Sequence, residues 1–209
     1  MQKRVRRYFF DFINGQEKWL NDMAKRGYRL KGCGMLTYDF ESCQPNAFEY
    51  AVIFAGNLTN ARAKDYQAYI ETMGFRTFTK NIGLKYAFGK VKWRPYGKGF
   101  GQIATAPGNY NNELLILEKE QDGQPFELHT DAADQYESVK AVAMVYGWEV
   151  MMTAVLFALT FLPAAVNSTI ALIWGIRGLL LILGILFGRP MVKSVREAKH
   201  LKDESRLYE

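Results

Sequence analysis

The chain is poor in the residues that carry most catalysis and metal binding. Its 209 residues include two cysteines, Cys33 and Cys43, and two histidines, His129 and His200. The cysteines form no Cys-x-x-Cys pair and have no histidine beside them, so a zinc site, which needs about four closely spaced ligands, is not expected. On the cytoplasmic side both should be reduced thiols. Asp11, Asp39 and Glu41 lie near strand patterns, yet no histidine, activated cysteine or Ser-His pair accompanies them. Solvated acids on strand faces are the better assignment. The Gly-Lys-Gly-Phe-Gly run at 97–101 lacks the spacing and the Lys-Ser/Thr ending of a phosphate-binding loop. No catalytic residue, cofactor or metal is therefore expected, and the chain reads as a non-enzyme. A signal peptide is not expected either, because Met1 to Arg7 is basic but Asp11 interrupts the apolar stretch that would have to follow.

What is present is a pair of long apolar runs. Val150 to Val166 carries only two threonines as polar side chains, and Thr169 to Phe187 is broken only by Arg177. Each approaches the roughly 20 residues needed to cross a bilayer. Only Asn167 and Ser168 separate them, so the helices must run antiparallel. The region 141–188 therefore reads as a transmembrane hairpin. Lys140 precedes it, and Arg189, Lys193, Arg196, Lys199, Lys202 and Arg206 follow. This distribution places both termini in the cytoplasm, with 189–209 as a basic tail. A protein of the cell membrane with two crossings is expected. Arg177 lies about 14 Å from the turn at 1.5 Å per residue, with no acid level with it. It reads as a contact to another transmembrane chain, with Gly175, Gly178 and Gly184 allowing close approach.

Residues 1–140 read as one cytoplasmic α+β domain. Tyr8, Phe10 and Phe12 alternate as in a strand. Asn14 with Glu17 suggests a capped helix over 15–26, stopped at Gly27. Tyr28 to Lys31 and Leu36 to Glu41 follow as strands. The order then recurs: Phe48 to Ala55 as a strand, a helix from Asn60 stopped at Gly74, then strands. Trp19, Met23, Gly27 and Tyr28 correspond to Tyr66, Ile70, Gly74 and Phe75, and Tyr38 and Phe40 to Tyr86 and Phe88. The pattern predicts a duplicated β-α-β-β unit, about 4–42 and 47–90, forming one antiparallel sheet with both helices on one face. Residues 90–112, rich in glycine, read as a basic loop. Residues 113–140 read as a β-hairpin, Leu114 to Glu118 with Pro125 to Leu128, and the start of a helix.

Several motifs resemble one bacterial family. Arg7-Tyr8-Phe9-Phe10-Asp11-Phe12, Glu17 to Ala24, Gly27-Tyr28-Arg29-Leu30, Gly74-Phe75 and Phe126 to Asp131 are similar to those of the domain of unknown function 2812. The resemblance implies a C-terminal transmembrane hairpin and a genetic neighbourhood with PadR-type transcription regulators. It implies no activity and no catalytic residues.

Charge is segregated along the chain. Between Thr72 and Asn112 there is no acid, while Arg76, Lys80, Lys85, Lys90, Lys92, Arg94 and Lys98 are interleaved with aromatics including Trp93. Bases with interfacial aromatics suit an anionic membrane surface, and nucleic acid is the less expected partner. Glu113 to Glu137 carries eight acids against Lys119 alone, a stretch that could face a basic protein or offset the basic loop. Two functions follow. One is a membrane-anchored regulatory adaptor binding a protein, with a PadR-type regulator as the partner the resemblance suggests. The other is an accessory subunit of a larger membrane assembly such as a transporter, held through the hairpin.

Overall fold

The structure is a computed structural model. It describes residues 2–56, 58, 60–82, 86–88, 91–93, 103–104, 113–124, 126, 132–162 and 170–205. Two compact units divide the chain, Met1–His129 and Thr130–Glu209.

The first unit contains strands β1 (Gln2–Arg6), β2 (Tyr28–Cys33), β3 (Thr37–Ser42), β4 (Phe48–Phe54), β5 (Arg76–Lys80), β6 (Tyr86–Phe88), β7 (Val91–Trp93), β8 (Ile103–Ala104) and β9 (Leu114–Glu120). Helices α1 (Asn14–Lys25) and α2 (Asn60–Thr72) lie between them in sequence. The α+β class and the antiparallel pairing are as expected. The single sheet is not: the strands form three sheets, ordered β1-β3-β2, β4-β9-β5 and β6-β7-β8.

The reason lies at the edge of β4. Asn21 on α1 donates to the Tyr50 carbonyl at 2.8 Å and accepts the Tyr50 N–H at 2.9 Å, while Glu17 accepts the Val52 N–H at 2.9 Å. Helix side chains thus occupy the backbone groups through which β4 would join another strand. Glu17 is used here rather than in the expected capping box. Asp11 takes that place, its carboxylate accepting the Asn14 N–H at 3.0 Å.

Three further expectations are corrected. Tyr8 to Phe12 is not a strand; β1 ends at Arg6, and the aromatics that follow wrap the start of α1. Phe9 lies 5.4 Å from Trp19, Phe12 is buried against Phe54, and Tyr8 is left 42% exposed. The partner of β9 is not 125–128. Its neighbours are β4 and β5, with Tyr50 and Arg76 both opposite Glu118. Phe126 lies outside any strand, and 125, 127 and 128 are outside the described residues. Tyr86 to Phe88 is not the third strand of the second sheet either. It belongs to the small sheet with β7 and β8, which form within the stretch expected as loop.

Two cores result. Leu20, Met23, Leu30, Tyr38 and Phe40 are buried between α1 and the first sheet, with Trp19 edge-on to Tyr38 at 4.9 Å. Ile70 of α2 packs on Leu115 and Leu117, flanked by Tyr66 and Phe75. Both helices stop at glycine in the left-handed region, Gly27 at φ 78° and Gly74 at φ 87°. At Gly27 a Cβ would also lie 2.9 Å from the Cys43 carbonyl oxygen.

The second unit is a helical hairpin of α3 (Ala132–Leu159) and α4 (Ile170–Ser205). On α4 the shielded residues include Ile173, Arg177, Leu180, Gly184, Phe187, Met191, Ser194, Ala198 and Leu201. Their steps of four and three are those of a coiled-coil seam. Gly184 faces Thr153 and Met191 faces Gly147, consistent with antiparallel packing.

The β4 edge generates a prediction. Asn21→Leu removes both hydrogen bonds to Tyr50, and each unpaired group should cost about 1–3 kcal/mol. Hydrogen exchange of the full chain should show the Tyr50 amide losing protection; unchanged protection there would contradict the edge closure.

Candidate functional site

The strongest polar cluster of the first unit is built on β9. Glu118 is 2% exposed, and its row across the sheet places Tyr50 on one side and Arg76 on the other. Its Oε1 accepts from Arg29 Nε at 2.9 Å and Nη2 at 2.8 Å, and its Oε2 accepts the Tyr50 hydroxyl at 2.7 Å. The same hydroxyl oxygen accepts the Leu30 N–H at 2.7 Å. Burial pushes the Tyr50 phenol well above its ordinary range, so it remains a donor. Arg76 approaches to 3.7 Å from a half-exposed position. With both oxygens engaged, the cluster is suited to holding two sheets together.

The next charged residue on the same face of β5 is Lys80. Alternation along the strand sets Arg76, Phe78 and Lys80 on one side, opposite Glu118, Ile116 and Leu114. Lys80 is 7% exposed, so the expectation that it lies on a membrane-facing surface is corrected. Its Nζ donates to the carbonyls of Gly34 at 2.6 Å and Met35 at 2.7 Å and sits 4.4 Å from the centre of the Tyr38 ring. Burial lowers its pKa and raises that of the neighbouring Cys33 thiol, which donates weakly to the Thr79 carbonyl. A raised thiol is a poor nucleophile.

Around this corner lies a half-open slot lined by Arg7, Gln16, Tyr38 and Lys80 together with Tyr8 and Met35. The Tyr38 hydroxyl donates to Gln16 Oε1 at 2.7 Å. Sequence reasoning missed this grouping, because Gln16 looks like an ordinary polar helix residue and Lys80 like one base in a run of seven. The available signal was the alternation Arg76-Phe78-Lys80, which puts the lysine on the same face as a core aromatic.

Of the remaining basic residues in that run, the structure describes two. Arg76 is exposed over Phe78, Lys92 and Trp93 stand on β7 with Trp93 half-buried, and Lys85, Lys90, Arg94 and Lys98 are outside the described residues. The acidic stretch is also less available than expected. Glu113 and Glu118 are buried, Glu113 accepting the Ile82 N–H at 2.9 Å, so neither can face a basic partner. Among the described residues, no group of three or more His, Cys, Asp and Glu side chains is gathered as a metal would require.

In the hairpin, Arg177 has partners that the sequence did not suggest. α3 ends at Leu159, short of the expected Val166, which brings its last carbonyls level with Arg177. Nε donates to Thr160 Oγ1 at 3.1 Å and Nη2 to the Thr160 carbonyl at 3.0 Å. The guanidinium also lies 4.0 Å from the centre of the Phe161 ring and 5.2 Å from that of Trp174. The hairpin itself thus offers Arg177 neutral acceptors at a helix end, which a reading confined to acids did not include. Gly184 packs against Thr153 inside the hairpin, whereas Gly175 and Gly178 have nothing within 4 Å of a Cβ position.

Residues 12–151 match the family described as Protein of unknown function (DUF2812). The chain belongs to this family. The DUF2812 match includes α1, the central sheets and most of α3, and it leaves out β1 and α4. Arg29, Tyr50, Lys80, Gln16 and Glu118 all fall within it; Arg7 and Arg177 do not. Neither curated proteins nor solved structures give a match.

The Glu118 cluster sorts its arginines by burial. Glu118→Gln should cost about 3 kcal/mol, because Arg29 loses a buried charged partner. Arg76→Ala should cost less than about 1 kcal/mol, being the longer and more exposed pair. Denaturant unfolding of both variants tests this; equal costs would contradict the assignment of Arg29 as the principal partner.

Proposed function

We propose that this DUF2812 chain is a membrane-anchored, non-enzymatic regulatory adaptor whose first unit binds a protein partner on the cytoplasmic side. The observation that carries the anchoring is the exposure of the hairpin. Gln135–Leu159 and Ala171–Asp203 are long and apolar enough to cross a membrane, yet only 22% and 17% of their most apolar windows are buried. A core helix of a soluble domain would be mostly covered. Here Leu156 and Leu159 on α3, and Leu172, Leu179, Ile182 and Ile185 on α4, face outward while the seam packs inward. Lipid is the surrounding that such a surface fits. The bases after Phe187 favour cytoplasmic termini.

An anionic lipid surface is the proposed neighbour of the basic stretch, with Arg76, Lys92 and Trp93 as its described members. The partner class suggested by the family resemblance is a PadR-type regulator. An outer face of α2 supports protein binding: Tyr69 is 61% exposed, and Met73 just beyond the helix is 43% exposed. The accessory-subunit reading keeps one foothold, the open surface at Gly175 and Gly178. Its other foothold, Arg177, is occupied within the hairpin.

Three outcomes test the proposal. The full chain should stay with membranes after alkaline carbonate washing, and Leu179→Arg with Ile182→Arg should release it. Crosslinking mass spectrometry on native membranes should give the same partners for wild type and Arg177→Leu. Loss of all crosslinked partners in Arg177→Leu, with insertion intact, would favour the accessory subunit instead.

A further inference from the structure

The slot beside Lys80 collects hydrogen-bond donors and positive charge, with no acid among its described lining residues. Lys80 is a nearly buried ammonium that meets two neutral carbonyls and an aromatic face; among the described residues it meets no carboxylate. A buried charge is costly unless it is paired, and carbonyl dipoles only partly replace a counter-ion. Two of its three protons are committed to Gly34 and Met35, which leaves the third.

Gln16 presents the second donor. It is 1% exposed, its Oε1 is held by the Tyr38 hydroxyl, and its Nε2 has no acceptor. A buried amide N–H left without an acceptor is costly. Gln16 also sits in the first turn of the twelve-residue helix α1, where the helix dipole favours negative charge. Arg7 adds a third donor group from the exposed side, its guanidinium lying over Phe9 and Trp19. Arg7, Gln16 and Lys80 line one half-open slot with room inside for a single water-sized group, about 10 Å³.

We propose that this slot binds the head group of a small monocarboxylate. One carboxylate oxygen enters the slot between Gln16 Nε2 and Lys80 Nζ, and the other faces Arg7. Room for one water-sized group favours a single oxygen of a planar carboxylate over the bulkier tetrahedral phosphate or sulfate. The mouth carries Tyr8, 42% exposed, and Met35, 61% exposed, so a short apolar body is the fitting remainder of the ligand. The site concerns the first unit alone and does not depend on the membrane reading, whose failure would leave it standing.

The test uses the full chain in nanodiscs of neutral lipid, with butyrate as the probe and butyramide as its neutral counterpart, read by saturation-transfer NMR and calorimetric titration. Butyrate should bind saturably and at least tenfold more tightly than butyramide. Gln16→Glu keeps the acceptor for Tyr38 and places a carboxylate in the slot itself. It should weaken butyrate at least tenfold while raising the melting temperature, since Lys80 gains a counter-ion. Lys80→Met should also abolish binding, and Gln16→Glu keeps the test decisive if that variant does not fold. Absence of saturable butyrate binding, equal affinity for butyramide, or unchanged affinity in Gln16→Glu would each overturn the proposal; the first of these would mark the slot as a water site.

Discussion

A single carboxylate governs the arrangement of the first unit. Glu118 stands at the centre of the sheet β4-β9-β5, yet its strongest partner, Arg29, comes from β2 of the other sheet. Tyr50 extends the connection by donating to Glu118 while receiving the Leu30 N–H from the same β2. Sheets that share no ladder are thereby joined by a charged, directional contact. Apolar burial alone is non-directional and would tolerate sliding. Two N–H donors of one arginine on one oxygen of a buried carboxylate, with the Tyr50 hydroxyl on the other oxygen, admit one register. The first sheet and α1 are then placed so that Asn21 and Glu17 can reach the edge of β4.

Much of this was legible in the sequence, and the failures have a common origin. Local signals worked: α1 and α2, their glycine stops, the strands β2 to β4, and the hairpin's apolar runs follow from periodicity and from residues whose backbone preferences are strong. Long-range pairing did not. Tyr86 and Phe88 copy the spacing of Tyr38 and Phe40, but spacing says nothing of which strand will be adjacent. Residues 81–113 separate β5 from β9, the strand that pairs with it. Nevertheless the two larger sheets have the same order, the strand before the helix and the strand after it flanking a third. Tyr8 to Phe12 misled for another reason. Its aromatics are at strand spacing, while Asp11 and Gly15 turn the chain into α1, with a Cβ at Gly15 only 3.2 Å from the Asp11 Cβ.

The candidate site shows the same division. That Lys80 belongs to a strand face shared with Phe78 follows from alternation, but its burial depends on Gly34 and Met35, 46 and 45 residues away in sequence. Arg76 and Lys80, two bases on one face of one strand, end in opposite circumstances: Arg76 approaches Glu118, whereas Lys80 meets carbonyls and a ring. No property of either residue distinguishes them beforehand. The difference is made by what β9 places across from each, an acid at Glu118 and an apolar side chain at Leu114.

One seam runs the length of the described part of the hairpin. The steps of four and three persist from Ile173 to Leu201, although the outward residues change from leucine and isoleucine to arginine and lysine beyond Phe187. A helix of 36 residues is about 54 Å long, well beyond an apolar core of about 30 Å. On the proposed membrane reading, part of the paired rod must therefore stand in water. There the buried seam residues Ser194 and Ala198 on α4 are small, and on α3 Ala141, Val142, Val145 and Tyr146 are buried as well. Packing of this kind makes the water-exposed portion a continuation of the anchor rather than a loose tether, because separating the helices would expose those residues. The lipid-facing end is secured differently, with Arg177 completing the carbonyl end of α3. One end is closed by hydrogen bonds to a helix terminus and the other by apolar burial, so each half of the rod is held by the force that its surroundings leave strongest.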